Sequence, residues 1–155
     1  MLLTKLHIPT PNKNFVRRSS LFNKLNAGLK RKLILVSAPA GFGKTTLVSE
    51  WIHQNSILAA WFSIDRNDNE PVDFLSYIIS AINGIQEGFG RKALELLNSP
   101  NQTSPESVLN LLINDTLTIK KDFVLVLDDF HLINNIEIAD IVAYLIEHFP
   151  DNVHM

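Results

Sequence analysis

The chain has 155 residues, of which 46% are hydrophobic and 19% are charged, so it can fold around one core but is too short for two full domains. Its formal net charge of -2 argues against broad electrostatic binding to nucleic acid. The absence of cysteine excludes disulfides and thiolate metal sites. Without a signal peptide or an apolar run of about 20 residues, the sequence predicts a cytoplasmic protein with no membrane segment.

The first 30 residues are predicted to form a polar lead followed by a short helix. Pro9 and Pro11 favour an extended backbone in the lead. Apolar residues then recur at helical spacing, which predicts a helix with one buried face. These residues are Leu21, Phe22, Leu25 and Leu29.

The next segment combines a predicted strand, a glycine-rich loop and a helix. Residues 33–36 are apolar, residues 33–37 are expected to form the strand, and a helical pattern runs from Lys44 to about Gln54. In this setting Gly41 and Gly43 let backbone N–H groups converge on a phosphate, which Lys44 can also reach. The residues predicted to bind nucleotide phosphates are Ala38, Pro39, Ala40, Gly41, Phe42, Gly43, Lys44, Thr45 and Thr46. The alternative is an ordinary glycine-rich turn with an exposed lysine.

A second motif follows another apolar run. Residues 123–127 are continuously apolar and end in Asp128 and Asp129, as expected for a parallel strand buried on both faces. Because ligands of open α/β sheets bind at the carboxyl ends of strands, Asp128 and the Thr45 hydroxyl are predicted to bind Mg²⁺. Asp129 is the predicted catalytic residue, which would orient or deprotonate a water molecule. Alternatively, the two aspartates only begin a turn.

The remaining pattern alternates strands with helices. It predicts a strand at residues 59–64, helices from residue 71, from residue 105 and at 136–149, and a shorter helical piece at 93–97. The order strand–helix–strand–helix–helix–strand–helix predicts an α/β fold of the P-loop NTPase type, with a parallel sheet and helices on both faces. Both tryptophans are expected to pack in the core.

The predicted sheet is incomplete. Three strands are visible, whereas about five are usual, and residues 151–155 look like the start of another strand. We therefore expect a lead with a short helix at residues 1–30 and a P-loop NTPase core at residues 31–155, truncated before the next strand. On this interpretation the chain is the N-terminal part of a longer protein.

Several other polar residues are expected to have structural roles. His131 is more typical of a structural side chain than of a contact to the γ-phosphate. Asp65 is expected to shape a loop or cap a helix, with a supporting position near magnesium as the alternative. Asp68 and Asn69 are expected to begin the next helix.

Together these motifs resemble the MalT-like, LuxR-family transcriptional activators. These are signal-transducing P-loop ATPases with numerous domains (STAND). The second motif, Val126-Leu127-Asp128-Asp129-Phe130-His131-Leu132-Ile133, is similar to the form found in that family. The whole resemblance covers nearly the full chain and is carried by residues 5–9, 16–18, 37–47, 60–65 and 126–133.

The resemblance implies an ATP-controlled switch that holds ADP at rest and hydrolyses ATP slowly. It implies ATP or ADP and Mg²⁺ as cofactors. Arg17 and Arg18 are expected to lie on a solvated basic face, and the resemblance gives the alternative that one of them lines the nucleotide pocket. It also implies self-association of the full-length protein, and DNA binding only through a C-terminal domain outside this chain. Two other functions stay open. The chain could be a P-loop enzyme of another kind, such as a kinase or a DNA-handling ATPase, or a non-catalytic interaction module that pairs through a sheet edge.

Overall fold

The computed structural model describes residues 1–10, 18–99 and 104–155. In these ranges three strands form one sheet with six α-helices around it, and 3₁₀ helices lie at Leu3–Leu6 and Phe130–Leu132. The strands are β1 (Ala59–Ser63), β2 (Phe123–Asp128) and β3 (Val153–His154). The helices are α1 (Ser19–Gly28), α2 (Lys44–Asn55), α3 (Pro71–Asn83), α4 (Arg91–Leu97), α5 (Pro105–Thr116) and α6 (Ile136–His148). None of the helices in the described ranges is long and apolar enough to cross a membrane.

The sheet is parallel, and its strand order is β1–β2–β3. Side chains alternate between the two faces of a strand. Trp61 and its partner Val126 therefore face a cluster formed with α1 and α2, whereas Phe62 and its partner Leu127 face a larger cluster formed with α3 to α6. The predicted α/β fold, an open parallel sheet with helices on both faces, is confirmed.

Both faces of the sheet are closed by apolar packing. Leu125 in β2 has no exposed surface, so truncation to alanine is expected to cost about 2–5 kcal/mol. Trp51 and Trp61 are each 1% exposed, which confirms that both tryptophans pack in the core. The indole Nε1 of Trp51 donates a hydrogen bond of 2.7 Å to Asn26 Oδ1 and so ties α2 to α1.

The prediction that residues 33–37 form a strand is wrong. Among the described residues, this part of the backbone joins the sheet through Ile34 N to Met155 O and Met155 N to Lys32 O, both 2.8 Å. These bonds place it beside β3, which has only two residues. Leu35, the next residue after Ile34, is 83% exposed. The strand expected at residues 151–155 does form, as β3.

The N-terminal turn (Leu3–Leu6), which the sequence did not predict, packs against the edge strand β1 and against α3. Leu2 N donates a hydrogen bond of 2.9 Å to Tyr77 Oη. Lys5 Nζ binds Asp65 at 2.8 Å and Asp68 at 2.7 Å, and it lies 5.1 Å from the centre of the Tyr77 ring. Because the side chains of Lys5 and Asp68 are only 12% and 4% exposed, this ion pair fixes the lead to the core.

Candidate functional site

The loop predicted to bind phosphate (residues 38–46), called the phosphate loop below, connects the segment beside β3 to α2. Gly41 and Gly43 have φ angles of 81° and 77°, which residues with a Cβ atom rarely adopt. A Cβ atom added at either position would meet nothing within 4 Å. Glycine is therefore required here by backbone conformation and not by lack of space. Residues 38–43 are exposed, so the loop is open to a ligand from solution.

The start of α2 presents backbone donors at this loop. Gly43 is the N-cap, no side chain caps the helix, and Leu47 N donates to Gly43 O at 2.9 Å. The first N–H groups of a helix have no partner within it, and the helix dipole adds partial positive charge at this end. The N–H groups of residues 44–46 are therefore suited to an anion such as phosphate.

The Lys44 side chain folds back over the phosphate loop. Its Nζ donates to Ala38 O at 2.9 Å and to Pro39 O at 3.3 Å. These carbonyl oxygens hold the ammonium group in place but carry no net charge. A phosphate oxygen would be the stronger acceptor, because its negative charge also attracts the ammonium group.

Thr45 and Asp128 meet at the edge of the sheet. Thr45 Oγ1 lies 3.0 Å from both carboxylate oxygens of Asp128, although the two residues are 83 positions apart. Burial raises the pKa of Asp128, and the charge of Asp129 adds to this, against the hydrogen bond from Thr45 and the charge of Lys44. A cation at this carboxylate would offset the cost of its burial. A hydroxyl and a carboxylate are the hard oxygen ligands that Mg²⁺ prefers.

Asp129 begins the loop that follows β2. Its backbone has φ 59° and ψ 32°, the left-handed conformation, which is uncommon for a residue with a side chain. Its carboxylate is 45% exposed and lies 3.7 Å from Nδ1 of His131, whose side chain is 64% exposed. The structure therefore brings Asp129 next to Asp128, on the solvent side of the same strand end.

The loop between β1 and α3 is not built as the sequence predicted. The N-cap of α3 is Glu70, so Asp68 and Asn69 do not begin the helix. Asp68 instead accepts hydrogen bonds of 2.7 Å from Asp65 N and from Lys5 Nζ. The hydrogen bond from Lys5 also lowers the pKa of Asp65. Asp65 thus shapes this loop, one of its two expected roles.

Asn69 joins this loop to the one that carries Asp129. Its Oδ1 accepts from Asn134 N at 2.7 Å, and its Nδ2 donates to Leu132 O at 3.3 Å. Its carbonyl oxygen also accepts from Asn135 Nδ2 at 2.9 Å. Sequence reasoning missed this connection, because the partners are more than 60 positions apart and no local pattern marks them.

The other candidate residues are less informative. Arg17 lies outside the described residues, and Arg18 is an exposed residue at the N-cap of α1. Within the part of the chain that is described, no group of three or more His, Asp or Glu side chains could hold a metal ion. A magnesium ion at Thr45 and Asp128 would therefore depend on further oxygen ligands, as Mg²⁺ commonly does with phosphates and water.

No protein-family model matches the chain. Curated relatives named HTH-type transcriptional regulator MalT match 153 residues, or 99% of the chain. The relative from Klebsiella pneumoniae is 33% identical, that from Serratia proteamaculans 34% and that from Yersinia enterocolitica 31%. The chain spans 17% of the length of each of these relatives. The resemblance predicted from the motifs is confirmed: over nearly all of its length, this chain is similar in sequence to these MalT regulators.

Proposed function

We propose that this chain is the nucleotide-binding part of a MalT-like transcriptional regulator. It binds ATP or ADP with Mg²⁺ at the phosphate loop, and slow ATP hydrolysis resets the switch. The main support is the contact between Thr45 and Asp128, because it joins the phosphate loop to the acidic strand end across 83 positions. The uncapped start of α2 and the ammonium group of Lys44 lie at the same edge.

Each part of the site has a separate task in this proposal. The backbone N–H groups of residues 41–46 and Lys44 bind the phosphates. Thr45 and Asp128 hold Mg²⁺, which neutralises charge on the phosphate oxygens when it is bound. Asp129 orients the attacking water molecule, and its exposed carboxylate leaves room for that water.

The division of the chain follows from the same proposal. Residues 31–155 form the P-loop NTPase core, and residues 1–30 form a lead that is fixed to it through Lys5. The name of the relatives describes them as helix-turn-helix regulators. In the full-length protein we therefore assign DNA binding to another region, and we assign self-association to the nucleotide-controlled state.

Calorimetric titration with ATP and with ADP, each with Mg²⁺, tests this proposal. Lys44→Ala is expected to weaken binding about 10- to 100-fold, because it removes a charge-assisted contact worth about 1.5–3 kcal/mol. Lys92→Ala is the matched control, since Lys92 is an exposed lysine near the start of α4. Circular dichroism should show that both variants fold. Equal affinity of Lys44→Ala and the parent chain would contradict the proposal.

A second candidate is an interaction module, which one observation favours. Leu33 and Leu35 are 46% and 83% exposed on the segment beside β3, and apolar sheet edges tend to pair with other chains. Sedimentation velocity across protein concentration, with and without ATP, separates the two functions. Assembly that ignores nucleotide and disappears in Leu35→Lys supports the interaction module. Assembly that requires nucleotide supports the switch.

A further inference from the structure

The loop that carries Asp129 has few internal contacts to fix its shape. It consists of Asp129 in the left-handed conformation and a three-residue 3₁₀ helix, Phe130–Leu132. Within it, Leu132 N donates to Asp129 O and Ile133 N donates to Phe130 O, both at 3.0 Å. Short 3₁₀ segments have weak hydrogen-bond geometry, and a left-handed residue persists only where its surroundings hold it. The loop therefore needs support from outside.

Asn69 gives that support through both ends of its side-chain amide. Oδ1 accepts the N–H of Asn134, while Nδ2 donates to the carbonyl oxygens of Leu132 and Arg66, at 2.7, 3.3 and 3.1 Å. Asparagine can accept and donate at once, whereas aspartate has lost the donor and alanine has neither group. The residue type therefore matches the contacts that it makes.

Asn69 is itself held on both sides. The preceding residue, Asp68, is 3% exposed and binds Lys5, and the following residue, Glu70, accepts the N–H of Phe74 at 2.9 Å in the first turn of α3. The amide thus projects from a fixed point, not from a loose loop. The Asn69 amide therefore has little freedom to follow Leu132 or Asn134 if these residues move.

We propose that Asn69 is a positioning residue, which holds residues 129–135 and thereby sets the position of Asp129 at the nucleotide site. The consequence for hydrolysis rests on the proposed function, in which Asp129 orients water. The direct structural consequence does not depend on that function. Without the Asn69 amide, the loop loses its bonds at Leu132 O and Asn134 N, and Asp129 loses part of the support for its left-handed conformation.

The first experiment is carried out on the whole chain without nucleotide. Amide chemical shifts of Asp129 and Leu132 are compared by NMR between the parent and Asn69→Ala, and both are expected to move while Thr45 keeps its shift. Asn83→Ala is the matched control, because Asn83 lies at the other end of α3 and its Oδ1 also accepts a loop N–H, from Gly88 at 2.9 Å. It is expected to leave Asp129 unchanged. Unchanged shifts of Asp129 and Leu132 in Asn69→Ala would overturn the proposal.

The second experiment measures the affinity for Mg²⁺ and ATP and the single-turnover rate of hydrolysis. Asn69→Ala is expected to slow hydrolysis about tenfold through misplacement of Asp129, with affinity within about twofold of the parent. Asn69→Asp keeps the acceptor for Asn134 and should lie between the two. Equal losses of affinity and rate, as general destabilisation would produce, contradict a positioning role. If the parent chain binds no nucleotide, the proposed function fails, while the chemical shifts still decide whether Asn69 holds Asp129.

Discussion

The two loops that meet at the carboxyl edge of the sheet are held in different ways. The phosphate loop is held by few contacts. Two glycines adopt the left-handed conformation, Phe42 N donates a long hydrogen bond of 3.4 Å to Pro39 O, and the Lys44 side chain folds back over the loop. The loop after β2 is bound from outside by Asn69, with one contact as short as 2.7 Å. One loop keeps its donors available, whereas the other is already fixed by the protein.

Because the two loops are held differently, one is expected to govern affinity for a ligand and the other the stability of the fold. The phosphate loop can present its N–H groups to a ligand because the protein uses few of them. The loop after β2 holds the Asp129 carboxylate in position before any ligand binds, because the protein itself fixes the shape of this loop. Binding then has a smaller entropic cost, since the loop is already ordered. Substitutions in the first loop should therefore change binding, and substitutions in the support of the second should change stability.

The largest effect on stability is expected at the support of the second loop. Lys5→Ala removes the cation from Asp68, whose side chain is 4% exposed. Breaking such a buried pair should lower the free energy of unfolding by about 3 kcal/mol, as measured with urea. Lys24→Ala, on an exposed part of α1, is the control and should cost little.

The other ion pair of Lys5, with Asp65, predicts a dependence on pH. The pKa of Asp65 is lowered in the folded chain by Lys5, so this pair stabilises the fold above the ordinary value of 3.8 and the contribution is lost as the pH falls. The difference in stability between the parent and Lys5→Ala should therefore shrink below pH 3.8. A difference that grows in acid would contradict this account.

The second prediction concerns the phosphate loop. Gly43→Ala places a Cβ atom in the left-handed region, at a strain of about 1–2 kcal/mol. The exposed loop can escape this strain by changing its turn, so the N–H groups no longer converge and affinity for nucleotide should fall about tenfold or more. Unfolding in urea should change much less. Gly84→Ala is the control, because Gly84 has an ordinary φ of -65°. Unchanged affinity in Gly43→Ala would contradict the view that this loop governs nucleotide binding.

A smaller effect of opposite sign is expected at Asp129. Asp129→Gly should stabilise the chain by roughly 0.5–1 kcal/mol, because glycine adopts the left-handed conformation without strain. Asp129→Ala keeps that strain and serves as the control. Both variants should lose hydrolysis under the proposed function. If thermal unfolding finds Asp129→Gly no more stable than Asp129→Ala, the left-handed conformation is not a source of strain.

The smallest effect is expected at Asp128. Burial raises the pKa of the Asp128 carboxyl group, so the folded chain binds the carboxyl proton more tightly than the unfolded chain. The protonated carboxyl group therefore stabilises the fold below pH 3.8, and this contribution is lost as the pH rises. Asp128→Asn should therefore raise the melting temperature at pH 7 by about 1–2 °C, a small value because water still screens this carboxylate. The gain should vanish in acid. A lower melting temperature at pH 7 would contradict this sign.

Features built from adjacent residues could be predicted from the sequence. The continuous apolar run before Asp128 forms β2, and the helix predicted from residue 105 forms as α5, where Ser104 accepts the N–H of Ser107 at 3.3 Å. The glycines of the phosphate loop also adopt the left-handed conformation that their residue type allows. In each case the physical cause lies within a few positions along the chain.

Features that depend on distant partners could not be predicted. Residues 33–37 have strand composition, but whether they form a strand depends on bonds to a neighbouring strand, and here those bonds run from Lys32 and Ile34 to Met155. Asp68 and Asn69 are of the types that commonly cap helices, yet Lys5 and Asn134 are better partners in the folded chain. Local propensity describes what a residue can do, whereas tertiary contacts decide which option is used.

The way the phosphate loop is attached to the sheet has a consequence for folding kinetics. Its leading segment docks through Lys32 and Ile34 to Met155, and beside them His154 Nδ1 lies 2.9 Å from Arg31 O, a contact that spans 123 positions. Closing so long a loop costs more entropy than forming the pairs within each helix, and contacts of high sequence separation slow folding. We expect β1 and β2 to pair first and the phosphate loop to reach its place last. Under the proposed function, nucleotide binding should therefore return during refolding only after most of the helical signal has recovered.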